Sequence, residues 1–316
     1  MKKGVVIHPD ELSIRWIERA EKLGIDVIGI HPWGGKRAPE SLSELVERVK
    51  TPEFRQLVDL AKSKGMEIEY EIHAMGWLLD RKLFDTHPEY FTMDAEGNRN
   101  PKSNLCVSNE EAMDIMAANA VKLAKALYGS SNRYHFWLDD VMHDRRCMCP
   151  KCRGWSASDQ CLIVVNRLAE ALRKEIPDAK VPFLSYYHTL YLPEKVKPAP
   201  GVFLEFAPIS KWQPKDHPTH IQFADLERVQ LPVLMDFFGK EDAKVLEYWL
   251  DNSLFSGWKK PPKELHADGE TAKREIAQYI DWGVKEITTF ACFLGPDYEE
   301  LFGEPDITPY TDAFPE

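Results

Sequence analysis

No run of this sequence approaches the ~18 uninterrupted apolar residues of a membrane-spanning helix. The basic start Met1-Lys2-Lys3-Gly4 leads into Val5-Val6-Ile7, too short for a signal-peptide core. Excess basic charge is missing as well: 40 lysines and arginines face 51 aspartates and glutamates, a formal net charge of −11. That argues against nucleic acid and anionic membranes as partners, since a polyanion needs a basic face. Cysteine is scarce, six in 316 residues, and three of the six are crowded at metal-ligand spacing, so a disulfide framework is not expected and a reducing compartment, the cytoplasm, is. No linker divides the chain and nothing repeats beyond a strand–helix alternation. Residues 1–316 therefore read as one domain, able to bury about three quarters of its unfolded surface. Nine tryptophans and 11 tyrosines leave room for a homo-oligomer interface without locating one.

What the chain does have is alternation. Lys22-Leu23-Gly24, Ser63-Lys64-Gly65 and Asp281-Trp282-Gly283 each read as a helix end with a left-handed glycine, followed at once by a strand. Eight strands are expected, at 4–8, 25–31, 66–73, 134–140, 181–187, 202–207, 244–250 and 284–291. Helices fill the gaps: Met113, Met116, Ala120, Leu123 and Leu127 recur at spacings of three and four behind a Ser108/Glu111 capping box. Eight βα units imply a single TIM (β/α)8 barrel, with a doubly wound sheet as the alternative. The segment 208–243, broken by Pro208, Pro214, Pro218 and Pro232, reads as a long loop plus a helix starting near Leu231-Pro232.

The run Cys147-Met-Cys149-Pro-Lys-Cys152, with Cys106 upstream, is C-x-C-x-x-C plus one distant cysteine, the ligand set of a closed tetrahedral zinc site made of four thiolates. Such a site is structural, because four thiolates leave no open position. The rival is a redox pair in Cys149-Pro-Lys-Cys152.

In a TIM barrel the chemistry lies at the C-terminal strand ends. Those ends carry His8, His31 and Trp33, His73 with Trp77 just beyond, Asp139 and Asp140, Tyr187 and His188, Glu205, and Glu247, Trp249 and Asp251. Carboxylates, histidines and aromatics at one mouth suit a small carbohydrate, whose hydrolysis needs two flanking carboxyls. Neighbours on a strand point to opposite faces, so one of Asp139 and Asp140 is expected to face the lumen while the other supports the loop. Asp140 is the expected acid, Glu247 its partner across the barrel, and Glu205 the reserve. Glu247, Trp249 and Asp251 are expected on one face by the period of two. Two other readings stay open: a metal-dependent barrel hydrolase or sugar isomerase, with Glu71, Glu205, His73, His188 and Asp251 gathered on a divalent ion, and a sugar-binding barrel without catalysis.

The run His87-Pro88-Glu89-Tyr90-Phe91, then Gly97-Asn98-Arg99 and Asn104-Leu105-Cys106-Val107-Ser108-Asn109, resembles a bacterial family of unassigned function grouped with glycoside-hydrolase barrels (domain of unknown function 4838). Ser158-Asp159-Gln160, Asn166-Arg167-Leu168 and Pro177 to Tyr187 fit the same pattern. Related enzymes of glycoside hydrolase family 163 are endo-β-N-acetylglucosaminidases, so the resemblance implies a sugar-active barrel. A more distant similarity, to family 42 β-galactosidases, implies zinc on Cys106, Cys147, Cys149 and Cys152. Family 42 has Asn-Glu where this chain has Asp139-Asp140, a carboxylate shorter by one methylene, and it carries accessory β-domains not seen here.

Overall fold

The computed structural model describes residues 1–144 and 146–315. Eight strands form one parallel sheet: β1 (Lys2–Ile7), β2 (Val27–Ile30), β3 (Glu67–His73), β4 (Ser130–Trp137), β5 (Val181–Ser185), β6 (Val202–Phe206), β7 (Lys244–Glu247) and β8 (Glu286–Phe290). Their order, β4-β3-β2-β1-β8-β7-β6-β5, rolls the sheet into a nearly closed barrel. Each overlaps its expected range, as a TIM barrel requires, but β4 ends at Trp137 where the range ran to 140, and β7 stops at Glu247 where it ran to 250. The seam is β4 against β5, joined by one bridge, Arg133 to Lys180, near their N-terminal ends. Above it no further β4–β5 ladder pairing forms among the described residues, and the loops that follow the two strands form part of the mouth.

The helices are α1 (Ile14–Lys22), α2 (Ala38–Arg48), α3 (Pro52–Ser63), α4 (Met75–Leu78), α5 (Glu110–Ala126), α6 (Ala157–Glu175), α7 (Pro218–Phe238), α8 (Asn252–Phe255), α9 (Gly269–Trp282), α10 (Pro296–Phe302) and α11 (Thr308–Thr311). Gly24, Gly65 and Gly283 do adopt positive φ, at 63°, 87° and 96°, which releases the chain from α1, α3 and α9 into the next strand at no Cβ cost. The α5 cap sits one residue later than expected, on Asn109, whose side chain accepts the Ala112 N–H.

Two expectations need correction. The helix of 208–243 begins at Pro218, where proline's missing donor is harmless, and runs through Pro232 to Phe238. The fifth unit has no crossover helix, only a single turn at Tyr187–Thr189. Pro193, Pro198 and Pro200 withdraw the donors a helix would need. The extended strap is pinned instead to α6: Asp159 accepts the Lys195 and Val196 N–H groups at 2.8 and 3.1 Å, and Asn166 bonds Lys197 O and Ala199 N. No helix among the described residues is long and apolar enough to cross a membrane.

Inside the barrel two layers are stacked. The lower is charged. Lys244 of β7 reaches across to Glu69 and Glu71 of β3 at 2.9 and 2.7 Å, with Glu205 at 3.5 Å. His135 lies 2.9 Å from both Glu69 and Glu205. Gly29 on β2 makes room for this, since a Cβ there would fall 2.7 Å from Glu71 Oε1. The upper layer is apolar and aromatic, built from Val6, Trp137, Leu184, Leu246, Tyr248 and Phe290, and it forms the floor of the mouth.

Candidate active site and metal centre

Above that floor opens a cavity of about 540 Å³, within the ~300–1,000 Å³ of ligand pockets. Its aromatic lining includes Trp33, Trp137, Tyr186, Tyr187, Tyr248, Trp258 and Phe290, and it holds two carboxylates, Asp140 and Asp251. No lysine or arginine among the described residues lines it.

Asp140 follows β4, which ends at Trp137, so both aspartates stand on the loop and not on the strand. Asp140 Oδ1 accepts the Tyr186 O–H at 3.0 Å, a bond that crosses the β4–β5 seam. Burial and the neighbouring Asp140 charge hold the Tyr186 phenol well above its ordinary pKa, so it stays a donor. Asp139 turns the other way. Its carboxylate accepts from the Arg81 guanidinium and the Asn104 N–H, and its own N–H donates to Asn104 Oδ1 at 2.9 Å. Asp139 thus ties the 104 loop to the end of β4, and Asp140 is left to face the cavity.

Asp251 arrives by a different route from the one its spacing suggested. β7 ends at Glu247, and a turn (Asp251 N–H to Tyr248 O, 3.1 Å) carries the chain into α8. There Asp251 Oδ1 caps the helix, accepting from Ser253 N, Ser253 Oγ and Leu254 N at 3.1, 2.5 and 3.2 Å. Burial pushes its pKa up to about 6 against those hydrogen bonds.

Three histidines line the β1–β3 side, and each ring is anchored in one way. Nδ1 of His8, His31 and His73 lies 2.7, 2.7 and 2.6 Å from the backbone oxygens of His31, Glu71 and Leu138. A carbonyl only accepts, so each Nδ1 carries the proton. Burial lowers the pKa of His8 and, with the His73 and His8 charges, drives that of His31 well down. Trp33 stacks on His8 at 4.8 Å between centroids.

The remaining candidates lie elsewhere. Glu247 is fully buried behind the barrel wall, where it meets Lys211 at 2.6 Å, Trp212 Nε1 at 3.1 Å and the Tyr279 O–H. Trp249 also faces outward, donating to Glu275 at 2.9 Å. Glu205 sits below the floor, accepting from Trp137 Nε1 at 2.7 Å as well as from His135; burial raises its pKa, but His135 and Lys244 outweigh that and hold it low. Trp77 packs against the core from α4. His188 lines a neighbouring cavity, edge-on to Phe223, while Tyr187 touches both cavities. The five residues of the divalent-ion reading do not gather: Glu71, His135 and Glu205 offer atoms within 4.8 Å of one another, but Lys244 is the cation among them.

The four cysteines do converge, all buried, with Cys106 Sγ 3.5 Å from Cys147 and 3.8 Å from both Cys149 and Cys152. Four sulfurs placed ~2.3 Å from a tetrahedral ion would stand about 3.8 Å apart, so the cluster fits a metal ion. No Sγ–Sγ bond forms. Gln160 holds the loop, accepting from Cys147 N at 2.8 Å and donating to the carbonyls of Cys147 and Cys152. Ser158 bonds Tyr191 O, so Ser158-Asp159-Gln160 joins the cysteine loop and the strap to one helix.

A family model for a domain of unknown function (DUF4838) matches residues 38–228. The chain belongs to that family. No curated protein matches it. Solved structures similar to this DUF4838 chain include endo-glycoceramidase II from Rhodococcus sp. (10% identity, 98% of this chain and 77% of that one, TM-score 0.57). A GH20 catalytic module of the pneumococcal exo-β-D-N-acetylglucosaminidase is another (13%, 99% and 84%, 0.54), as is a Bacteroides ovatus GH5 xyloglucanase (12%, 99% and 74%, 0.54). At these identities the likeness shows the barrel fold.

Sequence reasoning missed Trp137, Tyr248, Trp258, Gln213 and His217 as lining residues. Trp137 had a signal, standing two residues after the lumen-facing His135. Gln213, His217 and Trp258 lie on loops and had none.

Proposed function

We propose that this DUF4838 chain is a glycoside hydrolase in which Asp140 is the general acid and Asp251 the second carboxyl. The observation that carries this reading is two carboxylates sharing an aromatic-lined cavity at the barrel mouth, with no cation among the described lining residues to neutralise them. Asp251, fixed by three donors on Oδ1, is the anion at neutral pH; its pKa of about 6 leaves it ionised above that value. Asp140 keeps Oδ2 free to protonate the leaving oxygen while Tyr186 holds Oδ1. The aromatic lining offers surface against which a sugar ring can pack. The barrels of similar fold that carry glycosidase names support the reading at the level of fold.

The test is turnover of aryl glycosides with good and poor leaving groups. Asp140→Asn is expected to lose most activity on a poor leaving group and to recover it on dinitrophenyl glycosides, which need no acid. Asp251→Asn is expected to lose both. Full activity of either variant on a poor leaving group contradicts the assignment.

We further propose that the cysteine cluster holds Zn2+, a structural ion with no open position. It would fix the loop that Asn104 and Asp139 join to Asp140. Metal analysis should find one zinc per chain, and Cys149→Ser should lose it together with several degrees of Tm.

A further inference from the structure

We propose that the wall formed by His8, His31 and His73 reads the hydroxyl groups of an uncharged sugar ring, and that the site rejects sugars bearing carboxylate, phosphate or sulfate. This rests on the sugar-active reading above.

The argument begins with which atom of each ring is spent. All three Nδ1 protons go to backbone oxygens at 2.6–2.7 Å, so each ring is locked by the main chain of a neighbouring strand or loop and turns Nε2 away from that anchor. His8 Nε2 is buried with no partner. His31 Nε2 and Asp140 Oδ2 lie 3.9 and 3.7 Å from one point beside Gly34, where a side chain would stand if that residue had one. The missing side chain leaves a gap between a ring nitrogen and a carboxylate oxygen. A neutral imidazole with its proton on Nδ1 can only accept at Nε2. On this side of the cavity His8 and His31, both held neutral by burial, therefore present acceptors beside a carboxylate, and what satisfies acceptors is O–H.

Among the described lining residues an anionic substituent finds no lysine or arginine to pair with. Of the cations near His8, Arg37 stands outside the lining, over the Trp33 ring at 5.2 Å, and Lys260 is over Phe293 and bound to Asp297 at 2.7 Å. Across the cavity the polar lining is the Gln213 amide and the His217 ring. A carboxylate or phosphate entering here would lose its water beside Asp140 and Asp251 without gaining a cation, and a desolvated unpaired charge is strongly disfavoured. Hydroxyl recognition by fixed acceptors works in the opposite sense: an analogue lacking the hydroxyl leaves a buried acceptor unpaired, so discrimination is steep.

The test is a tryptophan-fluorescence titration of the full chain with matched sugars: glucose, galactose, mannose and N-acetylglucosamine against glucuronate, galacturonate and glucose 6-phosphate. At least one uncharged sugar is expected to bind, and its acidic counterpart to bind at least tenfold more weakly. His31→Phe should weaken the uncharged sugar about tenfold while the chain stays folded at the titration temperature, with Tm lowered by the unpaired Glu71 carbonyl, and His31→Gln, which keeps an acceptor, should recover part of the lost affinity. An acidic sugar binding as tightly as its uncharged parent overturns this inference and leaves the sugar reading standing. If no sugar of the set binds, the sugar reading falls and this inference with it.

Discussion

The lower layer of this barrel and the cavity above its apolar floor hold ionisable groups of the same kinds under opposite conditions. In the lower layer Glu69, Glu71, Glu205 and Glu286 are set against Lys244, Arg133 and His135. In the cavity Asp140 and Asp251 stand among aromatic rings and imidazoles, and no ammonium or guanidinium among the described residues joins them. The lower charges are paired where no water reaches, which a buried ion network must be to be tolerated at all. The upper charges are left uncancelled where a ligand can reach. Titratable side chains at a barrel centre are thus not equivalent as functional candidates: the informative ones are those whose partner is missing.

The largest effect should come from breaking the carboxylate pair in the cavity. Asp251→Asn is expected to lower kcat/KM by roughly 10²–10⁴-fold, the usual range for a positioned proton-transfer or charge-bearing group, with Tm within a degree or two of the parent. Breaking the lower layer should do the reverse. Lys244→Met leaves buried carboxylates without their cation and should cost about 3–5 kcal/mol of stability, read by chemical denaturation. Adding Glu71→Gln should return part of that loss, because burial already holds Glu71 up to about 7 against Lys244.

A pH profile sharpens the comparison. Asp251 must be ionised to act, and its pKa lies near 6, so the acid limb of kcat/KM should fall as pH drops through about 6. The smallest change is Tyr186→Phe, which removes one O–H donor from Asp140. A net hydrogen bond between uncharged groups is worth about 0.5–1.5 kcal/mol, so at most about a tenfold loss in turnover is expected with little change in Tm.

Much of this was legible in the chain, for reasons that differ by region. All eight strands were found because parallel strands buried on both faces are short apolar runs closed by glycine caps. The cysteine cluster was legible because ligand spacing is local. The reading failed at the end of β7. There Leu246 and Tyr248 line the cavity, while Glu247 and Trp249 turn outward into a buried polar cluster with Lys211 and Glu275. A carboxylate behind the wall and apolar groups at the mouth invert the expected pattern, and alternation cannot report which face is which. Asp251 escaped the period of two because a turn intervenes. On β4 the split was anticipated, one aspartate to the lumen and one to the loop. What decides it is Arg81 and Asn104, which come from distant loops and leave no mark near 139.

One side-by-side measurement tests the central claim most directly: kcat and Tm of Asp251→Asn and Glu205→Gln on the same glycoside. The account predicts that Asp251→Asn keeps its Tm and loses at least a hundredfold in kcat, while Glu205→Gln melts lower yet turns over near the parent rate below its transition. Glu205→Gln inactive with its Tm intact, beside an active Asp251→Asn, would place the chemistry in the lower layer and contradict the account.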